Sequence, residues 1–128
     1  MGVLGIGGIF FRARDPKALA AWYKEHLNVG AGCVATPGVT PEPFSWQVEG
    51  GPLVFQPFKA DTDYWSTDKQ FMLNLRVHDL DGLIAALIAL SIEVITKPEW
   101  NDPHVGRFAR LHDPEGNVVE LWEPATAA

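Results

Sequence analysis

Glu120 stands in the run Val118-Val119-Glu120-Leu121-Trp122. A strand there would point Val118, Glu120 and Trp122 to one face and Val119 and Leu121 to the other. A carboxylate drawn among apolar neighbours is a candidate general base. The alternative is structural: Arg110, Arg76 or Arg12 neutralises it in an ion pair, without any catalysis. Arg12 and Arg76 stand 64 residues apart, each closing an apolar alternating run. Each offers the planar fork that grips a carboxylate, and Asp15, Asp79 and Asp81 are the nearby anions that would otherwise occupy it. The other reactive residues form no motif. The four histidines have neither H-x-H nor H-E-x-x-H spacing, and the one cysteine, Cys33, cannot build a thiolate cluster. Gly5-Ile6-Gly7-Gly8 lies inside an apolar run with Phe10 where a third glycine belongs. No helix begins there, so it is not a nucleotide loop; in a strand such glycines admit a close neighbour.

The elements that must position these residues are marked by the chain's punctuation. Residues 3–14 form an apolar, strand-like run, and Asp15-Pro16 supplies an N-cap and a first-turn proline. Leu19, Trp22, Tyr23, His26 and Leu27 then follow helical spacing, with Gly30 and Gly32 to end the helix. Strand-like runs follow at 32–36, 44–49 and 52–58, separated by the proline-rich stretch 36–43 and the Glu49-Gly50-Gly51-Pro52 turn. Residues 59–69 are polar and loop-like, and the pattern then restarts. A strand is expected over 70–78, and a helix capped by Asp79 carries Leu80, Leu83, Ile84, Leu87 and Leu90 on one side. Strands are expected at 92–96, 106–112 and 117–123, the last two joined by Asp113-Pro114-Glu115-Gly116. Residues 124–128 should fray. Trp65 and Trp100 lie in polar, turn-rich segments, which predicts loops folded over a cavity mouth, a partner subunit or the protein's own surface.

The order is βαβββ twice over. A shift of 64 residues lays Arg12 on Arg76, Asp15 on Asp79, Leu19 on Leu83, Gln56 on Glu120 and Phe58 on Trp122. It also lays Phe44, Trp46 and Val48 on Phe108, Arg110 and His112. Alternation assigns Ile9, Phe11, Ala13, Leu73, Leu75, Val77, Val119 and Leu121 to the faces that bury helices. The opposite faces carry Gly8, Phe10, Arg12, Val54, Gln56, Phe58, Met72, Asn74, Arg76, Val118, Glu120 and Trp122, joined by Trp46, Phe108 and Arg110 if the third strands face the same way. Aromatics mixed with Arg, Asn, Gln and Glu suit a concave cavity for a small ligand; simple core filling is the plainer reading for any one of the aromatics.

Composition bounds the answer. A chain of 128 residues is one domain, and 47% hydrophobic with five Trp, seven Phe and two Tyr can build a core unaided. A formal net charge of −6 leaves no general nucleic-acid footprint. The longest nearly unbroken apolar run, 82–90, is far short of a membrane span, and no leader pattern precedes the first apolar run. With one cysteine no internal disulfide exists, which fits a cytoplasmic protein.

Two stretches carry a family resemblance: Arg12-Ala13-Arg14-Asp15-Pro16 leading into Ala21-Trp22-Tyr23, and RFARLHDPEGNVVELWEP over 107–124, with Asp113-Pro114-Glu115-Gly116-Asn117 ahead of Glu120-Leu121. The chain resembles the vicinal oxygen chelate superfamily of glyoxalase I, extradiol dioxygenases, and fosfomycin- and bleomycin-resistance proteins. The resemblance implies an α+β fold of two tandem βαβββ modules curled around a cavity, and frequent homodimers. The expected boundaries are module 1 over 3–58, a linker over 59–69 and module 2 over 70–123. It also implies metal positions, which fall here on Gly8, Gln56, Met72 and Glu120. Only Glu120 is a usual ligand, so no metal and no cofactor are expected. An arginine at the Arg12 position helps bind a substrate carboxylate in glyoxalase I. The resulting expectation is metal-independent binding of a small organic molecule. Phe10, Trp46, Phe58, Met72, Phe108 and Trp122 supply the wall, and Arg12, Gln56, Asn74, Arg76, Arg110 and Glu120 the polar anchors. The alternative is a glyoxalase-like lyase or isomerase with Glu120 as base, with or without a weakly bound metal.

Overall fold

The computed structural model describes residues 1–30, 46 and 48–126. Helix α1 spans Pro16–Leu27. Asp15 caps it by accepting the Ala18 N–H at 3.1 Å, and Asn28 ends it in the left-handed region at φ 57°. The helix therefore stops before Gly30, because an asparagine tolerates that conformation. Strand β1 is Leu73–Arg76, shorter than the expected 70–78. Helix α2 spans Leu80–Ala89 behind its Asp79 cap and buries Leu80 and Leu87. Leu90, expected on its apolar side, lies past the last turn and is exposed. A 3-10 turn, Pro98–Trp100, precedes β2 (Gly106–His112) and β3 (Val118–Pro124).

The three strands form one sheet in the order β1-β3-β2, with β1 parallel and β2 antiparallel to β3. The strand expected at 92–96 is reduced to one bridge: Ile95 and Arg110 exchange both backbone hydrogen bonds, at 2.8 and 2.9 Å. Gly106 opens β2 with φ 134°, and a Cβ there would meet the Glu123 carbonyl at 2.1 Å, so only glycine fits.

One face of the sheet builds the core. Leu75, Ala109, Leu111, Val119 and Leu121 pack with Leu80 and Leu87 of α2, and with Leu19 and Tyr23 of α1. The expectation was a helix for each half's own sheet. Instead both helices share the second half's sheet. Two contacts fix α1 there. Tyr23 Oη donates to Asp113 Oδ2 at 2.7 Å inside the core. The Glu115 carboxylate accepts the Arg14 and Asp15 backbone N–H groups ahead of the helix. Those donors hold Glu115 below the usual carboxylate range. Asp113 also accepts from Glu115 N, Asn117 N and Asn117 Nδ2, which closes the turn into β3.

Residues 3–14 and 52–58 enter no ladder among the described residues. Val3, Leu4, Phe10, Leu53 and Phe55 are exposed. An apolar alternation specifies a strand only where an edge is available to pair with it, and this sheet leaves both segments unpaired. Among the described residues the sheet is built by the second half, with three strands and the Ile95 bridge. The strand at 32–36, the stretch 36–43, Cys33 and half of the strand at 44–49 fall outside the described residues.

Candidate functional site

The second face of the sheet is ordered in rows. Cross-strand register aligns Asn74, Glu120 and Arg110, and the next row aligns Arg76, Trp122 and Phe108. In-register residues project to the same side. A third pair, Val118 opposite His112, lies beyond Glu120; Val118 is buried and His112 exposed.

Glu120 is the centre of its row and is 6% exposed. Both its oxygens are occupied. Tyr64 Oη donates to Oε2 at 2.6 Å, and Asn74 Nδ2 donates to Oε1 at 2.7 Å. None of the three arginines expected to neutralise it comes within ion-pair distance. Burial, and then the bond to Glu120, push the Tyr64 phenol up to about 12. Arg110 acts on the same phenol in the opposite sense. Its guanidinium carbon lies 4.8 Å from the Tyr64 ring centroid and 5.0 Å from that of Trp100. Its Nε and Nη2 are buried and have no hydrogen-bond partner. The cation lies over two ring faces, which attract it but accept no hydrogen bond from these two N–H groups.

The polar segment 59–69 delivers Tyr64. Thr62 N donates to Lys59 O, Tyr64 N to Thr62 Oγ1 and Lys69 N to Ser66 O, which folds the segment on itself. Trp65 Nε1 closes it on Lys69 O at 3.0 Å, and Phe58 packs against the Tyr64 and Trp65 rings. Sequence reasoning missed Tyr64 as a site residue and read Trp100 only as part of a loop folded over a cavity mouth, a partner subunit or the protein's own surface. The available signal was an aromatic pair inside a polar stretch.

The other expected residues divide into two groups. Arg76 turns to the Pro52 carbonyl at 2.7 Å and lies 5.5 Å over the Trp122 ring. Trp122 stacks on Phe108 with an interplanar angle of 4° and donates Nε1 to Val105 O. Met72 is half-buried ahead of β1. Phe10, Gln56 and Trp46 are exposed. Arg12 lines a cleft of about 480 Å3 with Arg14, Lys69 and Glu115, away from Glu120. A neighbouring cleft of about 400 Å3 sits between the start of α1 and the Pro114 turn. The anion expected beside Arg76, Asp81, pairs instead with Arg107 at 2.7 Å.

The residues at the metal positions implied by resemblance do not fit a divalent ion. Gly8 has no side chain, Gln56 is exposed, and Met72 offers a thioether that a hard cation disfavours. Both oxygens of the remaining residue, Glu120, already accept from neutral donors. Among the described residues no group of three His, Cys, Asp or Glu is placed to hold a metal.

A search of curated proteins finds no match to this chain. The family model described as Glyoxalase-like domain matches residues 8–122, a span that takes in both helices, β1, β2, β3 as far as Trp122, and every residue of the Glu120 row. This chain therefore belongs to the glyoxalase-like domain family, within the vicinal oxygen chelate superfamily.

Proposed function

We propose that the protein binds a small organic molecule carrying an anionic group, without a metal, on the face that holds Glu120 and Arg110. The observation that carries this is the Arg110 guanidinium, over the Tyr64 and Trp100 rings at 4.8 and 5.0 Å with two buried donors lacking a hydrogen-bond partner. Covered N–H donors on a cation are costly to leave unmet, and an anion meets them best. Trp122 and Phe108 in the neighbouring row offer flat apolar contact. Family membership supports small-molecule binding in general and names no ligand. The test is ligand-observed NMR with benzoate and its neutral analogue benzamide. Benzoate binds preferentially, and Arg110→Gln removes the preference. Equal binding of both probes, or benzoate binding that survives Arg110→Gln, would refute the reading.

A second reading is favoured by one observation. Glu120 is buried, with Tyr64 and Asn74 holding its two oxygens and no cation among the described residues in contact with it. It would then serve as general base in a lyase or isomerase of the glyoxalase type. Deuterium exchange from solvent into an α-hydroxy carbonyl compound, lost in Glu120→Gln while binding persists, separates catalysis from sequestration.

The same proposal makes the protein a cytoplasmic homodimer. The exposed apolar residues of 3–11 and 52–58 need cover, and a second copy supplies matching segments. Sedimentation at micromolar concentration showing only single chains would remove this part. No helix among the described residues is long and apolar enough to cross a membrane.

A further inference from the structure

The Arg110–Glu120 row carries more than a generic anion site, because one of its groups already imitates a ligand. Nε–H and the adjacent Nη2–H form one edge of a guanidinium, the edge that meets both oxygens of a carboxylate at once. In Arg110 these two atoms are the unpartnered ones. Glu120 lies opposite Arg110 in register, and its Oε2 is taken by a phenol from a loop 56 residues away in sequence. At its far end Lys69 Nζ donates to Glu115 O at 3.3 Å, and the loop's remaining hydrogen bonds are its own: Trp65 closes on Lys69, and Thr62 on Lys59. Tyr64 Oη is therefore its polar attachment to the Glu120 row, and Arg110 lies over the Tyr64 ring at 4.8 Å.

Resting on the small-anion reading above, we infer that the ligand is a planar carboxylate bearing a hydroxyl, and that Tyr64 is the internal occupant it displaces. The ligand's carboxylate takes the Nε/Nη2 edge of Arg110. Its phenolic or enolic hydroxyl donates to Glu120 Oε2, where the Tyr64 phenol donates in the free protein. The loop over 59–69 then lifts by exchanging one hydroxyl for another, so opening costs little net hydrogen bonding. A carboxylate without the hydroxyl must leave Glu120 with Tyr64 and compete for the space beside Arg110. Selectivity for hydroxy acids over plain acids follows from that competition.

The experiment compares benzoate with 2-, 3- and 4-hydroxybenzoate by calorimetry, on the unmodified protein and on Tyr64→Phe. The variant keeps the ring over Arg110 and deletes only the hydroxyl that occupies Glu120. At least one hydroxybenzoate is expected to bind the unmodified protein more tightly than benzoate. The same isomer is expected to gain about tenfold in Tyr64→Phe, as loss of a competing hydrogen bond to a charged group predicts, with benzoate gaining less. Hydroxybenzoates no tighter than benzoate, or an equal gain for both ligands in Tyr64→Phe, would overturn the displacement while leaving the anion site standing. Absence of any Arg110-dependent benzoate binding would overturn the site and the displacement together.

Discussion

Replacing Tyr23 by phenylalanine tests whether the bond between α1 and the turn into β3 holds the fold together. The change deletes one oxygen and keeps the ring, so no cavity larger than a hydroxyl forms. The lost bond is short, at 2.7 Å, buried, and made to a carboxylate. Hydrogen bonds to charged groups contribute roughly 1.5–3 kcal/mol. Asp113 keeps three donors, Glu115 N at 2.9 Å, Asn117 N at 3.0 Å and Asn117 Nδ2 at 2.8 Å, so its charge is not orphaned. The cost should fall at the low end, about 1.5–2 kcal/mol. With a urea m-value of roughly 1–3 kcal/mol per molar, the midpoint should drop by about 1 M with m unchanged. Asp113→Ala strips the acceptor from all four donors, the buried Tyr23 hydroxyl included, and should cost more than ~3 kcal/mol. Urea titrations followed by tryptophan fluorescence, at one fixed protein concentration, measure both. A Tyr23→Phe midpoint equal to the parent's, or an Asp113→Ala cost no greater than that of Tyr23→Phe, would refute the reasoning.

Two pH dependences follow from the same structure. Tyr64 ionises at about 12 when folded against an ordinary 10.0, so its share of stability is complete below pH 10 and is lost as pH rises through about 12. Tyr64→Phe should make the alkaline fall in the urea midpoint shallower across that window, and an unchanged slope would count against the Tyr64–Glu120 bond. Glu115 is held below its ordinary 4.5 by the Arg14 and Asp15 backbone N–H groups, so its contribution is present above 4.5 and is lost as pH falls through its lowered folded value. Glu115→Gln should therefore flatten the acid limb of a midpoint-against-pH curve; identical acid limbs would show that Glu115 does not anchor α1.

What was legible in the sequence was what short range decides. Asp15-Pro16 and Asp79 announce their helices because capping involves residues three apart. The Asp113–Asn117 turn announces itself because its carboxylate bonds within four residues. The two-residue period of a strand assigned the faces of β3, with Val119 and Leu121 on the core face at 0% exposure. The losses were all at long range. Residues 3–14 alternate as well as β3 does, yet alternation names a face and not a pairing partner. Asp81 stood close to Arg76 in sequence, but Arg107, 26 residues from it, reached it from β2 with two bonds. Glu120 was identified from its apolar neighbours, whereas its hydrogen-bond partner was not, because a phenol arriving from a polar loop leaves no periodic trace.

The placement of α1 also sets when this protein can finish folding. Its anchors join residues 90 to 101 positions apart: Tyr23 to Asp113, Asp15 and Arg14 to Glu115. Contacts of such long sequence separation form slowly, because a large loop must close before they stabilise anything. On the ribosome the delay is longer still. At ~5–20 residues per second, the surface that receives Leu19 and Tyr23 is synthesised on the order of ten seconds after the helix itself. During that interval the apolar stripe of α1 has no native surface to bury against. The nascent chain's hazard is thus governed by the late arrival of β2 and β3, and a chaperone that shields residues 3–27 for those seconds would raise the folded yield more than any stabilising change in the finished sheet.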